Sequence, residues 1–174
     1  MFFNLRLSAL LLACCTLQHA TASYALVADK NTIEAAFLYN FALFIEWPAS
    51  SANEFRICVL GSTPVLAALE PVKKKQIKGH PIIITEISAV QQVLPCHILF
   101  VGKSEHASLG ALAKYIGNAP ILVVAEENGF DLKNVTIALV AEQDHIAFRI
   151  NRTAAEANSL TISSKLLKLA LKVY

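Results

Sequence analysis

The chain has 174 residues, 55% of them hydrophobic, and a formal net charge of +2. That length suits one domain with a substantial core. The near balance of charge removes the electrostatic reason to expect a nucleic acid or an anionic membrane surface as partner.

The opening residues read as an export signal. Met1 to Arg6 supplies one positive charge, Leu7 to Cys15 an apolar run, and Ala20-Thr-Ala22 a small-x-small cleavage pattern. Cleavage is expected after Ala22, with Ala25 as the alternative. Leu11-Leu-Ala-Cys14 resembles a bacterial lipoprotein box, but its middle Leu is atypical and the segment ahead of it is short, so a cleavable signal is preferred to lipidation. Loss of residues 1–22 leaves 152 residues, with fourteen Lys and Arg against thirteen Asp and Glu, and these are read as one domain, 23–174. The expected location is the periplasm.

Asn31-Thr-Ile-Glu34 has the pattern of a capping box, and Pro48 closes the segment, so a helix is expected over 32–46. Glu34, Asn40 and Glu46 fall on different sides of it, and the rest is apolar all round. Such a helix spans a membrane, lies in a core covered on both sides, or buries part of itself against another chain. From Ala35 to Ile45 it is shorter than the ~20 apolar residues a span requires, so the mature chain is expected to be soluble.

Phe55 to Gly61 then reads as a strand, and Pro64 to Glu70 as a short helix. Strand-then-helix recurs with 81–85 and 88–93, with 97–102 and 107–116, and with a strand over 120–125. The strands are continuous apolar runs, as when both faces of a parallel sheet are covered. Val135 to Val140 and Ile146 to Ile150 predict an antiparallel hairpin at the sheet edge. Ser163 or Ser164 is expected to cap a final helix whose Lys165, Lys168 and Lys172 share one face. The fold class expected is α/β: a largely parallel open sheet, Rossmann-like, with helices on both faces, plus a C-terminal antiparallel hairpin and helix.

Cys14 and Cys15 leave with the signal, so the exported chain keeps Cys58 and Cys96, most simply read as a disulfide in an oxidising compartment. The alternative is a metal pair with His97 adjoining, although no C-x-x-C is present. Lys73-Lys-Lys75 with Lys78 is read as a solvated turn. Gly102-Lys-Ser104 lacks the glycine pattern of a phosphate loop and is rejected as one. A small-molecule pocket beyond the strand ends at Gly61 and Gly102 remains open. His80, His97, His106 and His145 show no metal spacing, and Glu126-Glu127, beside a turn containing Asn128-Gly129, reads as solvent-facing rather than as an acid/base pair. No catalytic residue, cofactor or metal is expected. Asn134-Val-Thr136 and Asn151-Arg-Thr153 matter only in a glycosylating host.

"EAAFLYNFALFIEWP" (34–48) resembles the opening signature of the YfiR family of bacterial periplasmic proteins, and "ISSKLLKLA" (162–170) resembles its closing one. Cys58 in "FRICVLG", Cys96 in "LPCHILFVG", "ILVVAEENGF" and "IAFRIN" fit the same family. The resemblance implies a regulator that binds the periplasmic sensor region of an inner-membrane diguanylate cyclase and holds it inactive. Release, in some systems through an outer-membrane lipoprotein, raises cyclic di-GMP and favours biofilm. The chain departs from the family at Lys133-Asn134, where relatives often carry Gly-Gly, and lacks a second cysteine pair. Other sensors, such as histidine kinases, therefore stay open as partners, as do homodimerisation and a periplasmic solute-binding role. Candidate partner-binding residues are Tyr39, Phe44, Trp47 and Pro48, with Trp47 favoured as an anchor. By resemblance, Phe148, Arg149, Asn151 and Leu160 form a second patch.

Overall fold

The computed structural model describes residues 29–49, 51–127, 133–143 and 145–174. The expected signal peptide with its cleavage sites, the lipoprotein box and the Asn128-Gly129 turn lie outside the described residues. No described helix is long and apolar enough to cross a membrane.

Helix α1 (Lys30–Phe44) leads into the two-residue strand β1 (Ile45–Glu46), and Pro48 follows two residues later. The expected capping box does not form. Asn31 lies inside the helix and donates to the Asp29 carboxylate, while Glu34 turns inward to pair with Lys30 at 3.0 Å. Leu38, Phe41 and Ala42 are fully buried; Thr32, Ala36, Asn40 and Leu43 form a narrow exposed stripe. Because that stripe contains Ala36 and Leu43, polarity alone could not reveal it.

Next come β2 (Phe55–Leu60), α2 (Pro64–Ala68), β3 (Gln76–Ile77), β4 (His80–Ile87), β5 (Ile98–Val101), α3 (Leu109–Ile116) and β6 (Leu122–Glu126). The last part holds β7 (Ile137–Ala141), β8 (Ile146–Ile150), α4 (Arg152–Ala157), β9 (Thr161–Ile162), α5 (Ser164–Leu167) and β10 (Lys172–Val173). The main sheet has the order β10-β8-β7-β6-β5-β2-β4-β3. Strands β4, β2, β5, β6 and β7 run parallel. The pairs β7–β8 and β3–β4 are antiparallel, and β10 follows β8 in parallel.

This overturns the open, largely parallel, Rossmann-like sheet expected from the sequence: the sheet is mixed and strongly curled into a half-barrel. The apolar runs report burial on both faces, and burial is blind to strand direction and to curl. Two edge strands, β3 and β10, are only two residues long and leave no periodic trace. The 88–93 helix is reduced to a 3-10 turn, Val90–Gln92, whose preceding N–H groups are held by the Gln92 side chain. The final helix likewise stops at Leu167, because Leu171 already donates to the Phe148 carbonyl and Lys172 lies in β10.

Two cores result. On one face α1 meets Ile57 and Val59 of β2, Ile82 of β4, Phe100 of β5, Val124 of β6, Leu139 of β7 and Phe148 of β8. Phe37 and Phe41 both pack edge-on against Phe148, with ring centroids 5.6 and 5.2 Å apart. On the other face α3 and the 90–92 turn cover Leu60, Leu99, Val101 and Val123. Each aromatic or branched side chain so buried contributes about 1.5–3 kcal/mol.

Cys58 in the middle of β2 and Cys96, just before β5, are joined on this second face, with Cα atoms 5.8 Å apart and a sequence separation of 38. Replacing both cysteines by Ala is expected to lower unfolding free energy by about 4 kcal/mol on chain-entropy grounds. Urea titration of the double variant beside the oxidised protein checks this; a difference under about 1 kcal/mol contradicts it.

Candidate functional site

The carboxyl ends of the parallel strands, where α/β sheets usually bind ligands, are filled by the protein itself. Gly61 has φ +72°, and a Cβ placed there would come within 2.6 Å of Glu105 Oε1. A Cβ on Gly102 would lie 3.5 Å from Glu126 Oε2, which accepts the Lys103 backbone N–H at 3.0 Å. The seat where an anion would meet backbone donors is thus taken by an internal carboxylate. Lys30 bridges Glu126 and Glu34, and the cavity beside them is about 10 Å³, room for one water.

The charges of this cluster are set by competition. Burial works to raise the Glu126 pKa, yet the hydrogen bonds from Lys30 and Lys103 outweigh it and hold the carboxyl below its ordinary value. In Glu34 burial wins, aided by the nearby Glu126 charge, and its pKa is raised. The adjacent Glu127 pairs with Arg149 at 2.6 Å. Both acids are therefore paired with cations of the chain itself. This corrects the solvent-facing reading of the pair, since Glu126 is only 9% exposed. His106 is buried, and burial lowers its pKa. Among the described residues no group of three or more His, Cys, Asp or Glu is placed to hold a metal.

The amino ends of the same strands are built differently. Trp47 follows β1, lies edge-on to Phe55 at 5.0 Å, and leaves its indole N–H buried without a partner. Phe55 in turn stacks on His97 at 4.6 Å. His97 stands one residue before β5, where its Nδ1 accepts the Arg56 N–H at 3.1 Å and its own N–H donates to the Arg56 carbonyl at 2.8 Å. The ring thus substitutes for a strand neighbour at the start of β2.

Two hollows open beside this aromatic stack. One, about 260 Å³, is lined by Trp47, Pro48, Ala49, Phe55, Ile77 and His97, with Glu54, Lys78 and His80 on its polar side. The other, about 240 Å³, shares Trp47, Pro48, Ala52 and His97 and continues to Leu94, Pro95, Pro120 and Ile121. Leu94 is 62% exposed, and Pro48, Ala49, Pro95 and Pro120 are exposed beside it. The two hollows and the exposed side chains around them thus form one largely apolar surface with a polar margin.

The sequence candidates divide accordingly. Trp47 and Pro48 line both hollows. Tyr39 is half-buried beneath the Lys75 ammonium, 4.3 Å from the ring centroid, and Phe44 is half-buried at the end of α1. Phe148 and Leu160 are core residues, at 4% and 3% exposure. Asn151 caps α4 by accepting the Ala154 N–H at 2.9 Å, and Arg149 holds Glu127. Leu160 also borders a hollow of about 350 Å³ whose Arg152 and Glu156 pair with each other at 2.8 Å. Phe55, His97 and the Leu94-Pro95 turn were not singled out from sequence as part of this surface. An exposed Leu-Pro directly ahead of a cysteine and an apolar strand was the only signal for them.

β1 pairs antiparallel with β9, matching Ile45 with Ile162 and Glu46 with Thr161, and Ser163 donates to the Phe44 carbonyl. The two terminal motifs, 34–48 and 162–170, are therefore spatial neighbours that fix the approach to Trp47. A profile of the YfiR/HmsC-like proteins matches residues 31–171. The chain belongs to the YfiR/HmsC-like family. A search of curated proteins finds no match. In this YfiR/HmsC-like chain the matched region includes both terminal motifs, the disulfide and every residue of the Trp47 surface.

Burial lowers the His97 pKa below its ordinary value of 6.5, assisted by Arg56 and His80 and opposed by Glu54. A histidine depressed in the folded state contributes stability that is present above the unfolded pKa and is lost as pH falls below about 6.5 toward the folded pKa. His97→Asn keeps an acceptor for the Arg56 N–H without titrating, so the variant is expected to lose less stability than the native chain between about pH 7 and pH 5. Urea unfolding at stepped pH measures it; parallel pH profiles would refute it.

Proposed function

We propose that this protein is a periplasmic regulatory subunit, exported by the signal at 1–22, that binds the extracytoplasmic sensor region of an inner-membrane signalling enzyme. The enzyme we assign is a diguanylate cyclase, which binding would hold inactive and so lower cyclic di-GMP. The observation that carries the reading is the Trp47 surface in a member of the YfiR/HmsC-like family. A half-buried indole flanked by two hollows and exposed Pro and Leu side chains has the make-up of an interface anchor. The usual ligand crevice of the sheet is occupied by Glu126 and Glu105, which favours a protein partner over chemistry at the strand ends.

Inhibition would be a population shift, with the subunit binding the inactive sensor conformation more tightly than the active one. Moving the sensor from mostly active to mostly inactive takes about 5 kcal/mol of differential affinity, within reach of an interface with a few aromatic anchors. A sensor histidine kinase could be controlled by the same physics. A solute-binding role is the second reading, favoured by the 260 Å³ hollow. It would show as a ligand-dependent rise in melting temperature.

Deletion of the gene is expected to raise cellular cyclic di-GMP, and periplasmic cross-linking of the native chain to recover a membrane protein. Trp47→Ala is expected to leave unfolding cooperative while weakening that association by about 2 kcal/mol or more. Unchanged cyclic di-GMP with no membrane partner recovered would overturn the proposal. A stability loss of about 3–5 kcal/mol with unchanged association would assign Trp47 to the core instead.

A further inference from the structure

Helix α1 begins without a side-chain cap, and none of the residues from Asp29 to Ile33 is buried. Glu34 is thus the first side chain of the helix to enter the fold, and it enters as an acid only 1% exposed. The Lys30 ammonium lies 3.0 Å from Glu34 Oε1 and also contacts Glu126 Oε1, so two carboxyls meet across one cation. Their remaining oxygens differ. Glu126 Oε2 accepts the Lys103 N–H at 3.0 Å, whereas Glu34 Oε2 is sealed from solvent with no donor in reach among the described residues.

The surroundings leave that imbalance in place. Lys103 is exposed and serves Glu126 through its backbone, and Arg149 of β8 is taken up by Glu127. In the turn Lys103–Ser108, Glu105 lies against Gly61, and His106 is buried, which lowers its pKa. Strands β7 and β8 present Leu139, Ala141 and Ile146 to the cluster, and Glu142 and His145 of the turn between them are exposed. Two like charges sharing one closed site do not both ionise readily, and a proton held between them removes the conflict. Its place is Glu34 Oε2, where an O–H becomes a donor, because Glu126 is already served at both oxygens. The titration directions agree. Burial, with the Glu126 charge beside it, holds Glu34 above its ordinary value despite Lys30, while the Lys30 and Lys103 donors hold Glu126 below its own despite burial.

We propose that Glu34 and Glu126 share a single proton, carried on Glu34, and that losing it as pH rises releases the uncapped start of α1 from the end of β6 and the Lys103–Ser108 turn. With both acids ionised the site holds excess negative charge, which water relieves by entering past the exposed first turn. Leu38, Phe41 and Ala42 keep the rest of the helix seated. This clasp is independent of the partner-binding reading above.

The sign of the effect isolates Glu34. An acid whose folded pKa is raised contributes stability that is complete below its unfolded pKa and is lost as pH rises through the folded one. Glu126, His97 and His106 are all shifted down, so their contributions are lost as pH falls instead.

The test follows the carboxyl carbons of the mature protein by NMR from about pH 3 to pH 8, with Glu34 expected to titrate above the ordinary Glu value of about 4.3 and Glu126 below it. Amide exchange reads the N–H groups of Glu34, Ala35 and Ala36, whose helical bonds close on Lys30, Asn31 and Thr32. Their protection is expected to fall at least about tenfold across the Glu34 titration, while that of Leu99 and Phe100 in β5 holds. Glu34→Gln has the size of the protonated acid and cannot ionise. It is expected to keep its protection at every pH and, in urea, to gain stability over the native chain as pH rises.

Two carboxyls titrating at the ordinary value would overturn the inference in the native chain alone, whether or not the variant folds. So would a low value for Glu34, the mark of an ionised acid served by a bound water. Protection at 34–36 that is independent of pH, an equal fall in Glu34→Gln, or a fall shared by Leu99 and Phe100 would each sink the clasp.

Discussion

The fold depends on covering α1. A helix with Leu38, Phe41 and Ala42 fully buried, and with Ile33, Phe37 and Phe44 half-buried around them, cannot rest on one flat layer. Exposing such side chains would cost about 1.5–3 kcal/mol apiece. The half-barrel answers this by bringing residues of β5 and β6 at the sheet's centre, β4 near one edge and β8 near the other into the same core as the helix. Reversal of β8 follows from the same need, because a short return from β7 delivers Phe148 to Phe37 and Phe41 where a crossover would carry the chain away.

The two ends of the parallel strands have opposite characters for a physical reason. At the carboxyl ends, Gly61 and Gly102 let backbone approach closely, and the space is then closed by Glu105 and Glu126. A carboxylate that accepts a backbone N–H and a lysine is well satisfied, and its depressed pKa reflects this. At the amino ends no internal group plays that part. Trp47 meets Phe55 edge-on, Phe55 stacks on His97, the indole N–H finds no acceptor among the described residues, and apolar surface stays open to solvent. An unpaired buried donor costs about 1–3 kcal/mol.

Local chemistry was legible where it was concentrated. The apolar runs at 55–60, 98–101 and 122–126 form strands, Ser163 caps α5 through its hydroxyl, and 137–141 pairs with 146–150 as a hairpin. What stayed hidden depends on contacts between distant residues. Ile45 and Glu46 leave the helix because Ile162 and Thr161 offer a strand, and Lys172 leaves the expected helix because β8 offers an edge. Nothing local at Lys73-Lys-Lys75 shows that a hairpin beyond it will carry Lys78 to Trp47. Phe148 and Leu160, put forward as surface, are interior because α1 covers Phe148 with Phe37 and Phe41 and Leu160 packs into the same core.

The pairing of β1 with β9 joins positions more than a hundred residues apart. Such a contact carries a large loop-closure entropy, so it forms late and only after the intervening strands have shortened the effective loop. A chain emerging N-terminus first presents Trp47 long before the strand that steadies it exists. A polypeptide cut short anywhere ahead of Thr161 would carry Trp47 and still leave the strand before it without β9. The strand pair therefore ties the setting of Trp47 to the far end of the chain: only a molecule that includes β9 holds β1, and the residues that follow it, in the geometry described.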